Sequence, residues 1–469
     1  MATTGQRLSA TDRMMLAVDR MLRRTGGAGF ETQMFLLLSE RIDSGRLRAA
    51  LTCLAECSPV VAGRLVENGG PAKPFWRFCP SAVVQLRESD LESSELGCLL
   101  DHAGRLLSEP RNLSEDDPIR FHLLHRPARG DVFLLQYNHS LMDNNAALPL
   151  LREIGRLAGA DECGFGNADG GGRSTRHEQC EGPNEPRMAV DRDLAWDYLR
   201  RIPRDRRRRA VQSTGRQWGR AWLGGITSLG HGRSAGPGTM PVMIVGRRLD
   251  AATTSAVRAR TQTILGVPSL SMALAASAFR AVDRLAPRNG RVGRNLIAGL
   301  GVDLGLRRHN GPLFQNLVSL VPLHATTEDL NDRDALVQLL GRQLRNELAA
   351  GADLGVLQQA ALMGRQPWYD SHWLVDMGLR HGLSLWYAYF GALDAVGERF
   401  CGAGVEDVFF AGPCWPPLGL TLVVNQFRGR LLFQVTYVPE EVPSTVAEAF
   451  LDHVVNDLTT PPMREFTDS

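Results

Sequence analysis

Apolar and polar positions recur with helical spacing in some stretches of the chain and with strand-like composition in others. A Ser-x-x-Asp pattern precedes helically spaced apolar positions and predicts a capped helix over residues 9–22. Residues 30–38 are rich in β-forming side chains and predict a strand. Residues 43–57 return to helical spacing and predict a second helix.

A β-hairpin followed by a helix is predicted next. Residues 119–125 and 132–137 are strand-like runs, and the segment between them has the composition of a turn. Apolar positions at helical spacing follow over residues 144–157. We expect this helix to pack back on the sheet that contains the hairpin.

The same mixture of elements recurs after a break. Residues 163–186 are glycine-rich and polar without periodicity, which indicates a linker. Beyond it we predict helices at 251–264 and 270–285, strands at 295–302 and 317–323, a helix at 334–348, strands at 383–390, 418–425 and 430–437, and a helix at 446–458. The pattern predicts an α/β (α+β) protein with an N-terminal lobe (1–165), a linker with a basic helical segment (166–240) and a C-terminal lobe (241–469).

Composition excludes several classes of protein. Of the 469 residues, 43% are hydrophobic and 22% are charged, as in ordinary globular proteins. The 53 basic and 51 acidic residues give a net charge of +2, which does not favour nucleic-acid binding. Lys73 is the single lysine, so arginine supplies the other basic residues. This excess fits GC-rich codon usage or the recognition of anions, which guanidinium groups bind in a bidentate manner.

No targeting or metal-binding pattern is evident in the sequence. The N-terminus has no basic region followed by an apolar run, and no segment of about 18 apolar residues occurs, so we expect a cytoplasmic protein. The eight cysteines are scattered and indicate neither a disulfide framework nor a metal site. Cys53 and Cys57 share a helical face, where core thiols are a better interpretation than a zinc site.

One catalytic pattern remains after GxSxG, P-loop and HExxH signatures are found to be absent. His139 follows a predicted strand, and Asp143 lies where the chain turns into a helix. The ordinary pKa of histidine, about 6.5, suits a general base, and aspartate suits a helix N-cap. A purely structural role for both residues stays open at this point.

The string NHSLMDN at residues 138–144 resembles the HHxxxDG motif of thioester-dependent acyltransferases. This superfamily includes nonribosomal peptide condensation domains, wax ester synthase-like enzymes and polyketide-associated acyltransferases. Other segments resemble those of the family in the same order along the chain: LSATDRMML at 8–16, SPVVAGRL at 58–65, GVP at 266–268, VDLGLR at 302–307, FQNL at 314–317, FGALD at 390–394 and GRL at 429–431.

The resemblance implies two chloramphenicol acetyltransferase-like lobes that form a V-shaped pseudo-dimer with a central tunnel. His139 would be the general base at their interface, and Asp143 a structural carboxylate paired with Arg64 or Arg307. A backbone N–H near Asn144 would stabilise the tetrahedral intermediate. The donor would be an acyl thioester of coenzyme A or of a phosphopantetheinyl carrier protein, with no bound cofactor and no metal.

Other residues receive supporting roles from the same resemblance. Asn316 lies in the FQNL string, and Asn138 and Asn144 replace the histidine and the glycine of the motif. Asparagine can still hydrogen-bond, and it tolerates a positive φ better than most residues. The expected tunnel residues are Trp386, Phe390 and Gly391. Arg206, Arg207, Arg208 and Arg209 are the expected docking residues for an anionic donor, although a solvated helix face is the simpler interpretation.

These features together predict a free-standing, monomeric acyltransferase that acylates an amine or an alcohol, in secondary-metabolite or lipid biosynthesis. The assembly-line motifs HQDYPFE and RDxSRNPL are absent, so a carrier protein would act in trans. Two alternatives stay open. One is a catalytically degenerate protein that recruits a partner, and the other is a hydrolase that uses His139 with a different nucleophile.

Overall fold

The computed structural model describes residues 5–67, 74–78, 84–159, 194–223, 225–231, 240–305, 314–363, 383–414, 416 and 418–460. Fifteen strands lie in these residues: β1 (Gly5–Arg7), β2 (Glu31–Leu38), β3 (Arg64–Val66), β4 (Phe75–Arg77), β5 (Leu86–Asp90), β6 (Ile119–His125), β7 (Val132–Asn138), β8 (Met243–Leu249), β9 (Asn295–Asp303), β10 (Val318–Thr326), β11 (Leu385–Ala392), β12 (Arg399–Phe400), β13 (Ala403–Ala411), β14 (Leu420–Phe427) and β15 (Arg430–Tyr437).

Eleven α-helices accompany the strands in the described residues. They are α1 (Ala10–Arg24), α2 (Ser44–Cys57), α3 (Leu96–Ser108), α4 (Asn144–Gly159), α5 (Leu194–Arg201), α6 (Arg204–Leu223), α7 (Ala251–Leu265), α8 (Ser271–Asn289), α9 (Arg333–Ala350), α10 (Ala352–Met363) and α11 (Ser444–Thr459). The mixed α/β class is therefore confirmed, and each element that the hydrophobic pattern predicted is present within a few residues of its expected bounds.

Two six-stranded sheets and one small sheet organise the molecule. The N-terminal sheet has the order β12-β13-β2-β7-β6-β5, and the C-terminal sheet has the order β10-β9-β11-β14-β15-β8. Strands β1, β4 and β3 form the small sheet. The predicted hairpin is β6 and β7, which pair antiparallel, and β7 also pairs antiparallel with β2.

The N-terminal sheet contains two strands from late in the chain. β13 pairs antiparallel with β2, and the rings of Phe35 and Phe409 stack across this pair with centroids 4.4 Å apart. Residues 399–411 therefore belong to the N-terminal sheet, although the sequence places them in the C-terminal lobe. The pairing of β13 with β2, called the strand exchange below, covers the edge of β2. Without it, this edge would expose unpaired backbone groups. The remaining domain boundaries stay a prediction, since residues 160–193 lie outside the described part.

The helix α1 brings the N-terminus against a segment of the second half. Ser9 and Asp12 form the predicted capping box, in which each side chain accepts the other residue's backbone N–H. Thr11 Oγ1 then donates to the backbone oxygen of Asn316 at 2.7 Å, and Gln6 Nε2 donates to that of Phe314 at 2.9 Å. These contacts fix residues 314–317, called the bridging segment below, against α1.

One expectation about the cysteines is corrected. Cys57 is disulfide-bonded, whereas the sequence predicts an unmodified core thiol at this position. The residue ends α2 and is only half-buried, so it is not a fully buried core residue.

Candidate active site

His139 lies directly after β7 and before α4, and two contacts fix its position. Its backbone N–H donates to the carbonyl oxygen of Phe30 at 2.8 Å. Its imidazole stacks on the ring of Phe30, with the centroids 4.7 Å apart and the planes 15° from parallel. The strand pair β2–β7 therefore sets both the backbone and the ring plane of the histidine.

Asn316 determines which nitrogen of His139 carries the proton. The Asn316 side-chain nitrogen donates to Asp12 Oδ1 and to the backbone oxygen of His139, both at 2.8 Å. Both of these oxygens only accept, so the amide oxygen must face Nδ1 of His139, which lies 3.0 Å away. Nδ1 therefore carries the hydrogen, and Nε2 keeps a lone pair that can accept a proton.

Asp12 is a supporting residue whose role in the site the sequence analysis missed. Its buried carboxylate accepts the backbone and side-chain N–H groups of Asn316, each at 2.8 Å. Burial raises the pKa of Asp12 to about 6, although hydrogen bonds from Ser9 and Asn316 oppose the rise. The sequence showed this aspartate as a helix cap, but nothing in it connects residue 12 with residue 316.

Asp143 connects the histidine loop to the same bridging segment. Its buried carboxylate accepts the backbone N–H of Ala146 at 3.1 Å, which caps the first turn of α4, and that of Leu317 at 2.7 Å. Arg64 was one of two arginines predicted to pair with Asp143. This prediction is corrected, because Arg64 forms its ion pair with Asp117 instead. Arg307 lies outside the described residues.

The environment of His139 keeps the imidazole neutral at neutral pH. Loss of solvent around the ring lowers the pKa of His139, while Asp143, Asn316 and the residue's own carbonyl oxygen oppose this change. A neutral imidazole with a free Nε2 is the form that a general base requires.

Asn138 fulfils a structural role at the first position of the motif. Its side-chain nitrogen donates to Asp19 Oδ1 at 2.7 Å and to Glu31 Oε1 at 2.9 Å. Its oxygen accepts the backbone N–H and the hydroxyl of Ser140. Every polar atom of this buried amide is thus satisfied, so the substitution for histidine leaves the loop well anchored.

Asn144 does not use the conformational freedom that the glycine of the motif would offer. It is the first residue of α4 and has no positive φ. The hydroxyl of Tyr137 donates to its side-chain oxygen. Tolerance of a positive φ is therefore not needed at this position, because the helix already begins here.

The expected tunnel residues lie together on β11. Phe390 packs at a tilt on Phe410, with the centroids 4.5 Å apart, while Trp386 packs against the apolar cluster around Val18 and Leu383. Gly391 has φ +66°, and open space surrounds the position where a Cβ would stand. That these residues line a substrate channel stays a prediction.

The predicted docking arginines lie at the start of α6, and the structure separates them. Arg209 pairs with Asp205 at 3.0 Å, and Arg206 is close enough to Asp353 to affect the pKa of that carboxyl. Arg207 and Arg208 instead line a cavity between α6 and α10.

The described residues contain neither a metal-binding cluster nor a membrane-spanning helix. No cluster of histidine, cysteine and acidic side chains there has the arrangement needed to hold a metal ion. None of the helices in that part of the chain combines the length and hydropathy needed to span a membrane.

Solved structures with this fold match the chain over almost its whole length. The first condensation domain of the calcium-dependent antibiotic synthetase, in complex with a substrate analogue, has a TM-score of 0.69 at 14% identity and covers 98% of this chain and 96% of that chain. Trichothecene 15-O-acetyltransferase TRI3 from Fusarium sporotrichioides has a TM-score of 0.68 at 11% identity, with 97% and 95% covered.

A third structure contains C8-CoA. It is a variant of the starter condensation domain of rhizomide synthetase RzmA in complex with C8-CoA, with a TM-score of 0.65 at 13% identity, covering 97% of this chain and 94% of that chain. No family profile and no curated protein matches the sequence. At these identities the structures establish the fold, and the expected two-lobed, chloramphenicol acetyltransferase-like fold of condensation domains and related acyltransferases is confirmed.

Proposed function

We propose that this protein is an acyltransferase that moves an acyl group from a thioester to an amine or a hydroxyl group. The observation that carries the proposal is the chain of contacts from Asp12 through Asn316 to His139, which leaves Nε2 of a neutral imidazole unprotonated. The fold supports the thioester part of the proposal, because a solved structure with this fold contains C8-CoA.

His139 and the first turn of α4 can together carry out the acyl transfer. Nε2 of His139 accepts the proton of the acceptor N–H or O–H while that nitrogen or oxygen attacks the thioester carbonyl. The new C–N or C–O bond forms, the C–S bond breaks, and the imidazolium returns its proton to the departing thiolate. The first backbone N–H groups of α4, at Asn144, have no carbonyl partner within the helix and would stabilise the oxyanion.

The donor in this proposal is acyl-coenzyme A or an acyl carrier protein, and the product is an amide or an ester. Trp386, Phe390 and Gly391 would form part of the wall along which the acyl chain or the acceptor approaches. Asp143 and Asn138 would hold the loop that carries His139, since both are buried and hydrogen-bonded.

Mass spectrometry of products tests the proposal. Wild-type protein, His139→Ala and the control His231→Ala, which changes an exposed histidine, are incubated with acyl-CoA and acyl-carrier-protein donors and a panel of amines and alcohols. We expect acyl transfer by the wild type and the control, and a loss of roughly 10²–10⁴-fold in His139→Ala. Undiminished turnover by His139→Ala would contradict the catalytic role. Failure of the wild type with every donor would favour a recruitment module.

A further inference from the structure

A group of buried charged side chains lies next to the loop that carries His139. Asp19 in α1 pairs with Arg23 one turn later, and its Oδ2 accepts Arg23 Nε at 2.7 Å. Glu31 in β2 pairs with Arg111. The carboxylates of Asp19 and Glu31, called the carboxylate pair below, are both buried, and each has an arginine that neutralises it. Their geometry is therefore constrained, because a displaced buried carboxylate would lose its compensating charge.

One oxygen of Asp19 holds two residues that adjoin His139. Oδ1 accepts the backbone N–H of Phe30 and the side-chain N–H of Asn138, both at 2.7 Å. The ring of Phe30 stacks on the imidazole of His139, and the carbonyl oxygen of Phe30 accepts the backbone N–H of His139. Asn138 directly precedes His139 in the chain. A displacement of Asp19 would therefore move both the stacked ring and the backbone that carries the imidazole.

Gly29 allows the close contact between Asp19 and the backbone of Phe30. Gly29 has φ +126°, a conformation that favours glycine, and a Cβ at this position would lie 2.6 Å from Asp19 Oδ1. A side chain at residue 29 would thus push the carboxylate away. The sequence before Phe30 is therefore compatible with the contact that Asp19 makes.

Asn138 fits the carboxylate pair better than the histidine of the motif would. Its amide nitrogen has two hydrogens and donates one to Asp19 and one to Glu31 without adding a charge. A neutral imidazole has a single N–H group. A protonated imidazole could donate twice, but it would add a cation to two ion pairs that are already neutral. The asparagine at this position is therefore explained by the two carboxylates that it joins.

The helix α1 supports the histidine with two buried aspartates. Asp12 and Asp19 are two helical turns apart and so share one face of α1. Asp12 acts through Asn316 on Nδ1 of His139. Asp19 instead holds the residues that fix the plane and the backbone of the imidazole.

We infer that Asp19 is a positioning residue for the acyl transfer, which acts on His139 through Phe30 and Asn138. It keeps Nε2 of the imidazole directed at the acceptor group whose proton is removed. The inference rests on the proposed function and goes beyond it, because the resemblance to the acyltransferase motif assigns no role to Asp19.

Steady-state kinetics with the full chain tests the inference. Asp19→Asn keeps the size of the side chain and removes its charge. Asp131→Asn is the matched control, because Asp131 is also buried and accepts a backbone N–H, that of Ile42 at 2.9 Å. It lies at the opposite end of β7 from His139. We expect kcat to fall roughly tenfold or more in Asp19→Asn, with a change in KM below about twofold, and kcat to stay within about twofold of wild type in the control.

NMR spectra of protein labelled at the histidine Cε1 positions report the imidazole directly and need no turnover. The resonance of His139 is the one that disappears in His139→Ala. We expect it to move in Asp19→Asn, because the ring current of Phe30 acts on a stacked imidazole, and to stay in place in Asp131→Asn. The control should instead move the resonance of His125, whose Nδ1 lies 2.9 Å from Asp131 Oδ1.

Arg23→Gln tests the same carboxylate if Asp19→Asn does not fold. Arg23 is partly exposed and donates two hydrogen bonds to Asp19. Arg156→Gln is its control, because Arg156 also donates two hydrogen bonds to a buried carboxylate one turn away, that of Glu153. We expect a moved His139 resonance and a fall in kcat of roughly threefold or more in Arg23→Gln only.

Three results would overturn the inference. A His139 resonance at the wild-type position in folded Asp19→Asn would show that the carboxylate does not hold the imidazole. An equal fall in kcat in Asp131→Asn would show a general loss of structure. An unchanged kcat in Asp19→Asn would refute the role of Asp19 and leave acyl transfer by the wild type intact. If the wild type transfers no acyl group, the proposed function fails, and the spectra still decide whether Asp19 positions His139.

Discussion

At the scale of single residues, Asn316 couples two ionisable groups that lie far apart in the sequence. Its amide nitrogen faces Asp12, and its amide oxygen faces His139. Because an amide cannot satisfy both neighbours in the reverse orientation, the carboxylate of Asp12 fixes the tautomer of a histidine that it does not contact directly. Asp12 and Asn316 are therefore positioning residues, and His139 is the group expected to touch the substrate.

Asn316→Ala tests this positioning. Loss of the acceptor removes one contribution that raises the pKa of His139, so the low-pH limb of kcat/KM should move to lower pH. The variant also loses the bias toward a free Nε2, and kcat should fall roughly 10–100-fold with little change in KM, the equivalent of about 1.5–3 kcal/mol. The pH-rate profile measures both effects.

Asn331→Ala is the matched control, because Asn331 is exposed and donates only to a nearby backbone oxygen. Its profile should follow that of the wild type. A fall in kcat for Asn316→Ala with an unmoved low-pH limb would indicate a general loss of structure and contradict the positioning role.

Asp12 should also leave a signature in stability. Its pKa rises from 3.8 to about 6 on folding, so the folded state binds more protons than the unfolded state in this interval. Stability from this group is therefore fully present below about pH 4 and is lost as the pH rises through 6. The rise corresponds to roughly 3 kcal/mol between the two protonation states.

Asp12→Asn removes this titration. The free energy of unfolding of the variant, relative to wild type, should increase by about 3 kcal/mol between about pH 4 and pH 7, whatever its constant offset from the altered capping box. Denaturant unfolding at several pH values measures the difference. A difference that does not change with pH would show that Asp12 ionises as freely in the folded protein as in the unfolded chain.

The sequence identified the residues of the site that lie in local motifs. His139 and Asp143 follow from a strand end and a helix start, and Asn316 follows from the resemblance of the FQNL string. Asp12 could not be assigned a role in the site because its contact with Asn316 spans 304 residues and depends on how α1 docks. The pairing of Arg64 with Asp117 depends in the same way on tertiary packing.

At the scale of elements, the local hydrophobic pattern is sufficient to predict a strand or helix that buries a regular face. The strands β6 and β7 are buried almost throughout and were predicted from their apolar runs. The strands β1, β3 and β4 have three residues each, too few to show a period. Their existence depends on pairing with one another and could not be predicted from local sequence.

The hydrophobic pattern also does not reveal which sheet a strand joins. The strand β13 is largely buried and lies between predicted elements of the C-terminal lobe, yet it pairs with β2. Pairing depends on which sheet edge is available in the folded molecule. The apolar sequence of a buried strand does not specify which strand will pair with it.

At the scale of the whole molecule, the strand exchange makes the two halves depend on each other. The N-terminal hydrophobic core contains Phe400, Val405 and Phe410 as well as residues of β2 and β7. The bridging segment adds Phe314 to this core while its neighbours Asn316 and Leu317 hold Asp12 and Asp143. The site at His139 is thus complete only when both halves are present.

This dependence predicts that residues 1–240 do not fold alone. Without β13, the fragment would expose the edge of β2 and leave Phe35 without its stacking partner Phe409, and exposed edges and apolar patches promote aggregation. We expect an insoluble or aggregated fragment by size-exclusion chromatography, whereas the full chain unfolds cooperatively. A fusion that adds residues 394–414 through a flexible linker should increase the soluble fraction, because it restores the missing strand pair. A monomeric 1–240 fragment with cooperative unfolding would contradict this prediction. It would show that the N-terminal lobe is stable without the strand exchange.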